Sequence, residues 1–324
     1  MTFFDDRTVL ITGGTGSFGK RFTRELLDST AARKVIVFSR DELKQYEMQQ
    51  LFPDESRLRF FIGDVRDYQR LYRAFHGVDV VVHAAALKQV PAAEYNPFEA
   101  VKTNVHGAQN IIEAAIEQRI QSVIALSTDK ACSPINLYGA TKLVSDKLFI
   151  AGNAYAGGTT TRFAVVRYGN VVGSRGSVVP FFKQLVQTGE LPITDERMTR
   201  FWITLDQGVR FVMDCLERMR GGELFVPKIP SMRVVDLARA MAPHASLKVV
   251  GIRPGEKLHE EMISAPDSRR TMDMGSYYVI EPEMDWWSER SSGGVPVTEG
   301  FSYASDTNTE WLSVEQLQTM VASV

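Results

Sequence analysis

The sequence predicts an α/β fold, a doubly wound parallel sheet with a smaller C-terminal α/β portion, and three observations carry that expectation. Short runs rich in β-branched residues recur through the first two-thirds of the chain, at residues 8–12, 34–38, 58–62, 79–83, 122–127 and 163–167. Helix-period segments at 16–28, 68–75, 98–117 and 138–151 separate them and supply the crossovers that parallel strands require. Past residue 168 the alternation gives way to Gly/Pro punctuation at Gly173, Gly176, Pro180, Pro192, Pro227 and Pro230, with helical stretches at 181–187, 205–218 and 234–241. Residues 1–168 therefore read as the sheet domain, to which some later segments return, and 169–324 as mainly a ligand-covering portion. The stretch 288–300 reads as a loop.

Composition narrows the function classes. With 324 residues, 44% of them hydrophobic, the chain can bury a full core. A net charge of −2 with no long Lys/Arg block gives no electrostatic footprint for nucleic acid, while a small anionic ligand needs only a few placed cations. Cys132 and Cys215 are too few for a disulfide framework and lack metal-ligand spacing, so no metal is expected and a reducing compartment suits the chain. The N-terminus has no basic, then apolar, leader pattern, and no run approaches the ~18 apolar residues of a membrane span. The expectation is a cytoplasmic, unanchored protein.

The first strand runs into Thr12-Gly-Gly-Thr-Gly-Ser-Phe-Gly19 and then a helix-period segment. Gly14, Gly16 and Gly19 satisfy G-x-G-x-x-G, and Gly13, Gly16 and Gly19 satisfy G-x-x-G-x-x-G; both let backbone approach a pyrophosphate at a helix N-terminus. In this context the doubly wound sheet is of Rossmann type. The next strand ends in Ser39-Arg40, about twenty residues past the last glycine, where an NAD enzyme usually places an acid for the ribose hydroxyl. A hydroxyl followed by a guanidinium suits the 2′-phosphate of NADP instead, although Asp41-Glu42 keep NAD open. Asp64 and Val65 end the third strand near the adenine, and Ala84 and Ala86 offer small side chains after the fourth.

After the fifth strand comes Ser127-Thr-Asp-Lys130, and eight residues later Tyr138-Gly-Ala-Thr-Lys142 begins. On a helix Tyr138 and Lys142 share one face, so the ammonium is expected to lower the phenol's pKa and to hold the nicotinamide ribose. Such a phenol can take a proton from a sugar hydroxyl whose carbon gives up hydride. Cys132 has no neighbouring His in sequence and reads as a packing residue; His83 and His106 read as core or surface histidines.

At this point the chain resembles the extended short-chain dehydrogenase/reductase superfamily, and within it the PseB-type, inverting UDP-N-acetylglucosamine 4,6-dehydratases. The resemblance covers nearly the whole chain. It rests on Ser127-Thr-Asp-Lys-Ala, Pro134-Ile-Asn-Leu-Tyr-Gly-Ala-Thr-Lys-Leu-Val-Ser-Asp-Lys-Leu-Phe149, Thr199-Arg-Phe-Trp-Ile-Thr204, Gly222-Glu-Leu-Phe-Val-Pro-Lys-Ile-Pro-Ser231 and Gly251-Ile-Arg-Pro-Gly-Glu-Lys-Leu-His259. It implies a tightly bound NADP regenerated in each turnover, UDP-N-acetylglucosamine as substrate, a homo-oligomer (dimer or hexamer), and the first step of pseudaminic acid biosynthesis for flagellin or other surface glycans. The implied catalytic set is Thr128, Asp129, Lys130, Tyr138 and Lys142, with Lys130 as a neutral base at C5 and Asp129 as the acid for the C6 hydroxyl. Expected cofactor contacts are Gly13, Thr15, Gly16, Ser17, Phe18, Gly19, Ser39, Arg40, Lys44, Asp64, Val65, Ala84, Ala86, Lys88, Asn104, Tyr138, Lys142 and Val171. Expected substrate contacts are Lys88, Asn170, Arg175, Gly176, Ser177, Val178, Val179, Arg200, Arg253 and Glu256. The retaining 4,6-dehydratases of the superfamily place Glu after Thr-Asp, and simple 4-epimerases place small residues there. A 4-epimerase or reductase would keep Tyr138 and Lys142 without needing Lys130, and a non-catalytic NADP-binding regulator would need neither set.

Overall fold

A computed structural model of the chain describes residues 2–173, 177–283 and 293–322. The first half alternates strands β1 (Thr8–Thr12), β2 (Lys34–Ser39), β3 (Leu58–Ile62), β4 (Val80–His83), β5 (Ser122–Leu126) and β6 (Arg162–Val166) with helices. These are α1 (Ser17–Ser29), α2 (Glu42–Gln50), α3 (Tyr68–Ala74), α4 (Val90–Tyr95), α5 (Pro97–Val101), α6 (Gly107–Glu117) and α7 (Leu137–Tyr155). The remainder comprises β7 (Asn170–Val171), α8 (Val178–Leu185), β8 (Glu190–Ile193), β9 (Thr199–Ile203), α9 (Leu205–Arg218), β10 (Leu224–Pro227), β11 (Ser231–Arg233), α10 (Val234–Met241) and β12 (Ser246–Val249). It ends with β13 (Glu261–Ile263), β14 (Thr271–Asp273), β15 (Tyr277–Ile280), β16 (Val295–Pro296), β17 (Tyr303–Ala304) and α11 (Val314–Ala322).

The main sheet runs β3-β2-β1-β4-β5-β6-β10 in parallel, and β15, β14 and β16 extend it antiparallel. β1 and β4 are buried along their whole length, as a sheet covered on both faces requires, which is why they read as unbroken apolar runs. Helix α1 buries Phe22, Leu26 and Leu27 against this sheet, each worth about 2 kcal/mol of transfer free energy. Strand order reverses at β1 and β4, so a crevice opens beyond their carboxyl ends, the place where open α/β sheets bind ligands. A second apolar cluster, built on Phe182, Leu191, Trp202, Met232 and Leu237, supports the small sheet β11-β9-β7 and the pair β12-β8.

Four expectations change. The segment 98–117 is not one regular helix: α5 passes through a π-helical turn at Lys102–His106 before α6. The helix expected at 181–187 is α8, three residues earlier, and finishes in a 3-10 turn at Val186–Thr188. Helix α2 is an element the sequence reading does not include; Asp41, weighed there only as keeping NAD open, is its N-cap, accepting from the Lys44 amide at 3.0 Å. Of the stretch read as a loop, 288–292 lie outside the described residues, and Val295–Pro296 form an edge strand. No helix among the described residues is long and apolar enough to cross a membrane.

His83 is a core histidine, its Nδ1 2.8 Å from Thr12 Oγ1 and its ring against Phe149. Burial, with the Lys142 ammonium nearby, pushes it down to about 3. Because the folded state resists protonating it, stability is whole above the unfolded value of about 6.5 and is lost as pH falls from there toward 3, by ~1.4 kcal/mol per unit. Urea denaturation of a His83→Asn variant at pH 6 and pH 4 is expected to show a smaller loss between the two than the parent.

Candidate active site

Two clefts meet at Lys88, Lys130 and Asn170, which line both. The first, of about 580 Å³, runs from the start of α1 to Lys142. Gly13 turns the chain out of β1 with φ +65°, and a Cβ there would stand 2.8 Å from the Ala85 backbone, so this turn packs flush on the chain leaving β4. Helix α1 has Gly16 at its N-cap and no side-chain cap, and residues 16–19 line the cleft. Uncapped amides on a helix N-terminus suit a pyrophosphate.

At the far end stand Ser39, Arg40 and Lys44. Ser39 Oγ accepts from Gln45 at 3.0 Å, Arg40 lies half-exposed 3.7 Å from Asp64, and Lys44 pairs with Asp41 at 2.6 Å. The acids nearest the end of β2 are engaged: Asp41 is spent on the α2 cap and on Lys44, and Asp64 is gripped by Arg66 at 2.7 Å, while Glu42 does not line the cleft. This donor set fits a dinucleotide with a 2′-phosphate. Thr15, Ser17, Phe18, Gly19, Val65, Ala84, Ala86, Lys88 and Val171 also line the cleft. Asn104 does not. Its amide is committed to both backbone groups of Leu87 and to Thr141 Oγ1, so it braces the wall behind the cleft.

The chemistry lies where β5 ends. Thr128 caps a 3-10 turn, Asp129–Ala131, and its hydroxyl donates to Asp129 Oδ1 at 2.9 Å. Helix α7 sits directly on this turn: a Cβ on Gly139 would overlap the Lys130 carbonyl oxygen, so only glycine permits the approach that brings Tyr138 beside Thr128 and Lys130. Beneath them a buried network ties α7 to the sheet. Ser127 Oγ donates to Asp146 Oδ2 at 2.7 Å, Arg167 approaches the same oxygen at 3.3 Å, and its other arm donates to the Met262 carbonyl at 2.9 Å.

Protonation states depart from the spacing-based expectation. Tyr138 hydrogen-bonds Thr128, yet burial outweighs that bond and the Lys130 charge, and pushes the phenol up to about 12. Burial pushes Lys142 down, with Asp146 opposing. Lys142 is not among the groups that lower the phenol. Lys130 is also not a neutral amine. Burial and Arg200 disfavour its charge, but Asp129 Oδ1 and Glu260 Oε1, each 3.0 Å from Nζ, prevail and hold it as an ammonium. Burial raises the Asp129 carboxyl, which suits a proton donor. Cys132 is buried with its thiol pushed up to about 12, an inert packing group. Among the described residues no His/Cys/Asp/Glu group has the arrangement of a metal site.

The second cleft, of about 870 Å³, is lined by Asn170, Ser177, Val178, Arg253 and Glu256. Val179 instead turns into the second core, and Arg175 and Gly176 lie outside the described residues. Arg200 lines the cleft, but its guanidinium is occupied by the carbonyls of Thr199 (2.7 Å), Lys257 (3.0 Å) and Leu258 (3.1 Å) and lies 3.6 Å from Glu256 and 3.8 Å from Glu260. Sequence reasoning missed Glu260, Trp202, Asn136 and Lys257, all of which line this cleft. Glu260 was detectable only as the acid directly after the Gly251-to-His259 stretch. Five of the twelve buried side-chain atoms without a hydrogen-bond partner among the described residues belong to residues lining this cleft, Asn170 Oδ1, Ser177 Oγ, Trp202 Nε1, Glu256 Oε2 and Glu260 Oε2, and a sixth, Asp129 Oδ2, to a residue lining the first. Buried polar atoms rarely go unmet, and this set, mostly acceptors, matches a ligand rich in hydroxyl donors.

Comparison with known proteins agrees with this chemistry. The family model described as "Polysaccharide biosynthesis protein" matches residues 9–282. The "UDP-N-acetylglucosamine 4,6-dehydratase (inverting)" of Campylobacter jejuni subsp. jejuni serotype O:23/36 (strain 81-176) is 56% identical, over 98% of each chain. The X-ray structure of Pen from Bacillus thuringiensis superposes with a TM-score of 0.92 at 36% identity, covering 99% of both chains. DesIV, a dTDP-glucose 4,6-dehydratase from Streptomyces venezuelae solved with NAD and TYD bound, gives 0.68 at 26% identity, over 78% of this chain and 86% of its own.

Proposed function

The chain belongs to the polysaccharide biosynthesis protein family, within the extended short-chain dehydrogenase/reductase superfamily, and we propose that it is a UDP-N-acetylglucosamine 4,6-dehydratase that inverts C5. The observation that carries this reading is the junction itself. Asp129, whose carboxyl burial shifts toward its protonated form, and Lys130, within reach of both Asp129 and Glu260, stand where a dinucleotide cleft opens into one lined with unmet acceptors. A dehydratase needs that pair in addition to the Tyr138/Lys142 set; an epimerase does not.

The α1 N-terminus, Ser39, Arg40, Lys44 and Lys142 would hold NADP, which would supply a reversible hydride acceptor for C4 and donor for C6. Tyr138 takes the proton of the C4 hydroxyl, with Thr128 holding its oxygen in place. The resulting ketone acidifies the C5 hydrogen, and Lys130, once it has shed its own proton, accepts the C5 proton. Asp129 protonates the departing C6 oxygen so that it leaves as water. A proton from solvent, balanced by the one that Tyr138 took from the C4 hydroxyl and releases again, reaches C5 on the opposite face and gives the 4-keto-6-deoxy L-arabino sugar. Asn170, Ser177, Glu256 and Arg253 hold the sugar nucleotide in the second cleft. The same reading makes the protein a cytoplasmic homo-oligomer that opens pseudaminic acid biosynthesis for surface glycosylation.

Mass spectrometry tests it simply: UDP-N-acetylglucosamine incubated with the protein and no added reductant should give a product lighter by one water. A product of unchanged mass with altered sugar configuration means a 4-epimerase. For the cofactor, Arg40→Ala should weaken NADP by about tenfold and leave NAD nearly unchanged in a titration of intrinsic fluorescence. Equal weakening of both would return the choice to NAD.

A further inference from the structure

Glu260 lies 130 residues from Lys130 in sequence, yet its Oε1 stands 3.0 Å from the Lys130 ammonium, opposite Asp129. It is 1% exposed, and its Oε2 is buried without a hydrogen-bond partner among the described residues, beside the second cleft. Its backbone is clamped from both sides. The Glu260 amide donates to Ser305 Oγ at 2.9 Å, the Ser305 amide donates to the Glu260 carbonyl at 2.8 Å, and Ser305 Oγ lies 2.7 Å from Thr199 Oγ1. A carboxylate held this firmly at a buried lysine is preorganised rather than adventitious.

We propose that Glu260 is a positioning residue of the dehydration: it holds Lys130 against Asp129 and takes the proton that Lys130 must give up before it accepts the one from C5. The inference rests on the dehydratase reading and supplies the step that a resting ammonium leaves open. One N–H bond of Lys130 breaks as an O–H bond forms on Glu260. The free amine then takes the C5 proton, and the C–H electron pair moves into the enolate. Asp129 loses its proton to the leaving C6 oxygen. Lys130 is again an ammonium, so the proton on Glu260 returns through it to Asp129, 3.0 Å from Nζ on the other side, and the resting state is restored. The charged and titratable groups facing this relay are Asp129 and Lys130 on the turn, Tyr138 on α7, Arg200 on β9, and Lys257 and Glu256 on the loop before β13. Burial disfavours the Glu260 carboxylate, but Lys130 and Arg200 keep it ionised at rest and able to receive a proton.

Glu260→Gln and Glu260→Asp, purified with cofactor, test this against the parent enzyme on UDP-N-acetylglucosamine. With Gln, kcat is expected to fall about 100-fold, with KM within roughly threefold and an unchanged unfolding temperature. Its kcat should depend more steeply on pH than the parent's, because Lys130 must then lose its proton to solvent, even though removing the Glu260 charge weakens its hold on that proton. Deuterium incorporation at C5 from heavy water should slow in step with kcat. Asp, which keeps the charge and loses reach, should recover part of the rate. A Gln variant with parental kcat and pH profile overturns the proposal, as does one in which rate and unfolding temperature fall and KM rises with no change in pH dependence. If the parent itself makes no dehydrated sugar, the dehydratase reading fails and takes the inference with it; an active parent with an unaffected Gln variant sinks the inference alone.

Discussion

Tyr138→Phe is expected to lower kcat by about 10³-fold while leaving cofactor affinity close to that of the parent. The phenol hydrogen-bonds the Thr128 hydroxyl, a single contact of modest worth, whereas the reaction cannot start unless the C4 hydroxyl loses its proton. Single-turnover absorbance of reduced nicotinamide should read the defect directly, since no hydride moves from C4 without that proton transfer. The pH dependence follows from burial. With the phenol pushed up to about 12, the phenolate fraction grows by ~tenfold per unit between pH 7 and 9, so kcat/KM should climb with pH in the parent and lose that climb in the Phe variant. A Phe variant with parental single-turnover rates would remove Tyr138 from the chemistry.

Lys130→Met should separate the two halves of the cycle. Hydride transfer from C4 uses Tyr138 and survives, so reduced nicotinamide should accumulate on the enzyme, while dehydrated product falls by about 10³-fold and C5 ceases to exchange with solvent. The same variant removes the charge between two buried carboxylates, Asp129 and Glu260, and one of them must then stay protonated. A stability loss of about 3 kcal/mol is expected in urea denaturation at neutral pH, smaller at pH 5 where protonation is easier. Full turnover by the Met variant would restore the epimerase or reductase alternative.

Most of the sheet was legible because β1, β4 and β5 are buried on both faces and their runs of Val, Ile and Leu admit few other readings. The glycine cradle and the Tyr138/Lys142 pair were legible because a local spacing sets each geometry. Protonation was not. Spacing places Lys142 one turn from Tyr138, but only burial decides that the phenol rises and the lysine falls. Lys130 likewise looked able to serve as a neutral base until its counter-charge was located, and Glu260 reaches it through the pairing of β13 with β17, a contact no local pattern encodes. Arg200 shows the converse. Its type suggested a diphosphate clamp, whereas its donors are largely spent on the backbone of residues 199, 257 and 258. Arg253, exposed and 4.0 Å from Glu256, is the freer cation of the pair.

Proton NMR of UDP-N-acetylglucosamine turned over by the purified protein in deuterium oxide, with no external reductant, tests the central claim most directly. The account predicts a 4-keto-6-deoxy sugar with a new C6 methyl group, deuterium at C5 and L-arabino couplings. D-xylo couplings would keep the dehydratase and reject inversion, and a 4-epimerised sugar free of solvent deuterium would contradict the dehydratase altogether.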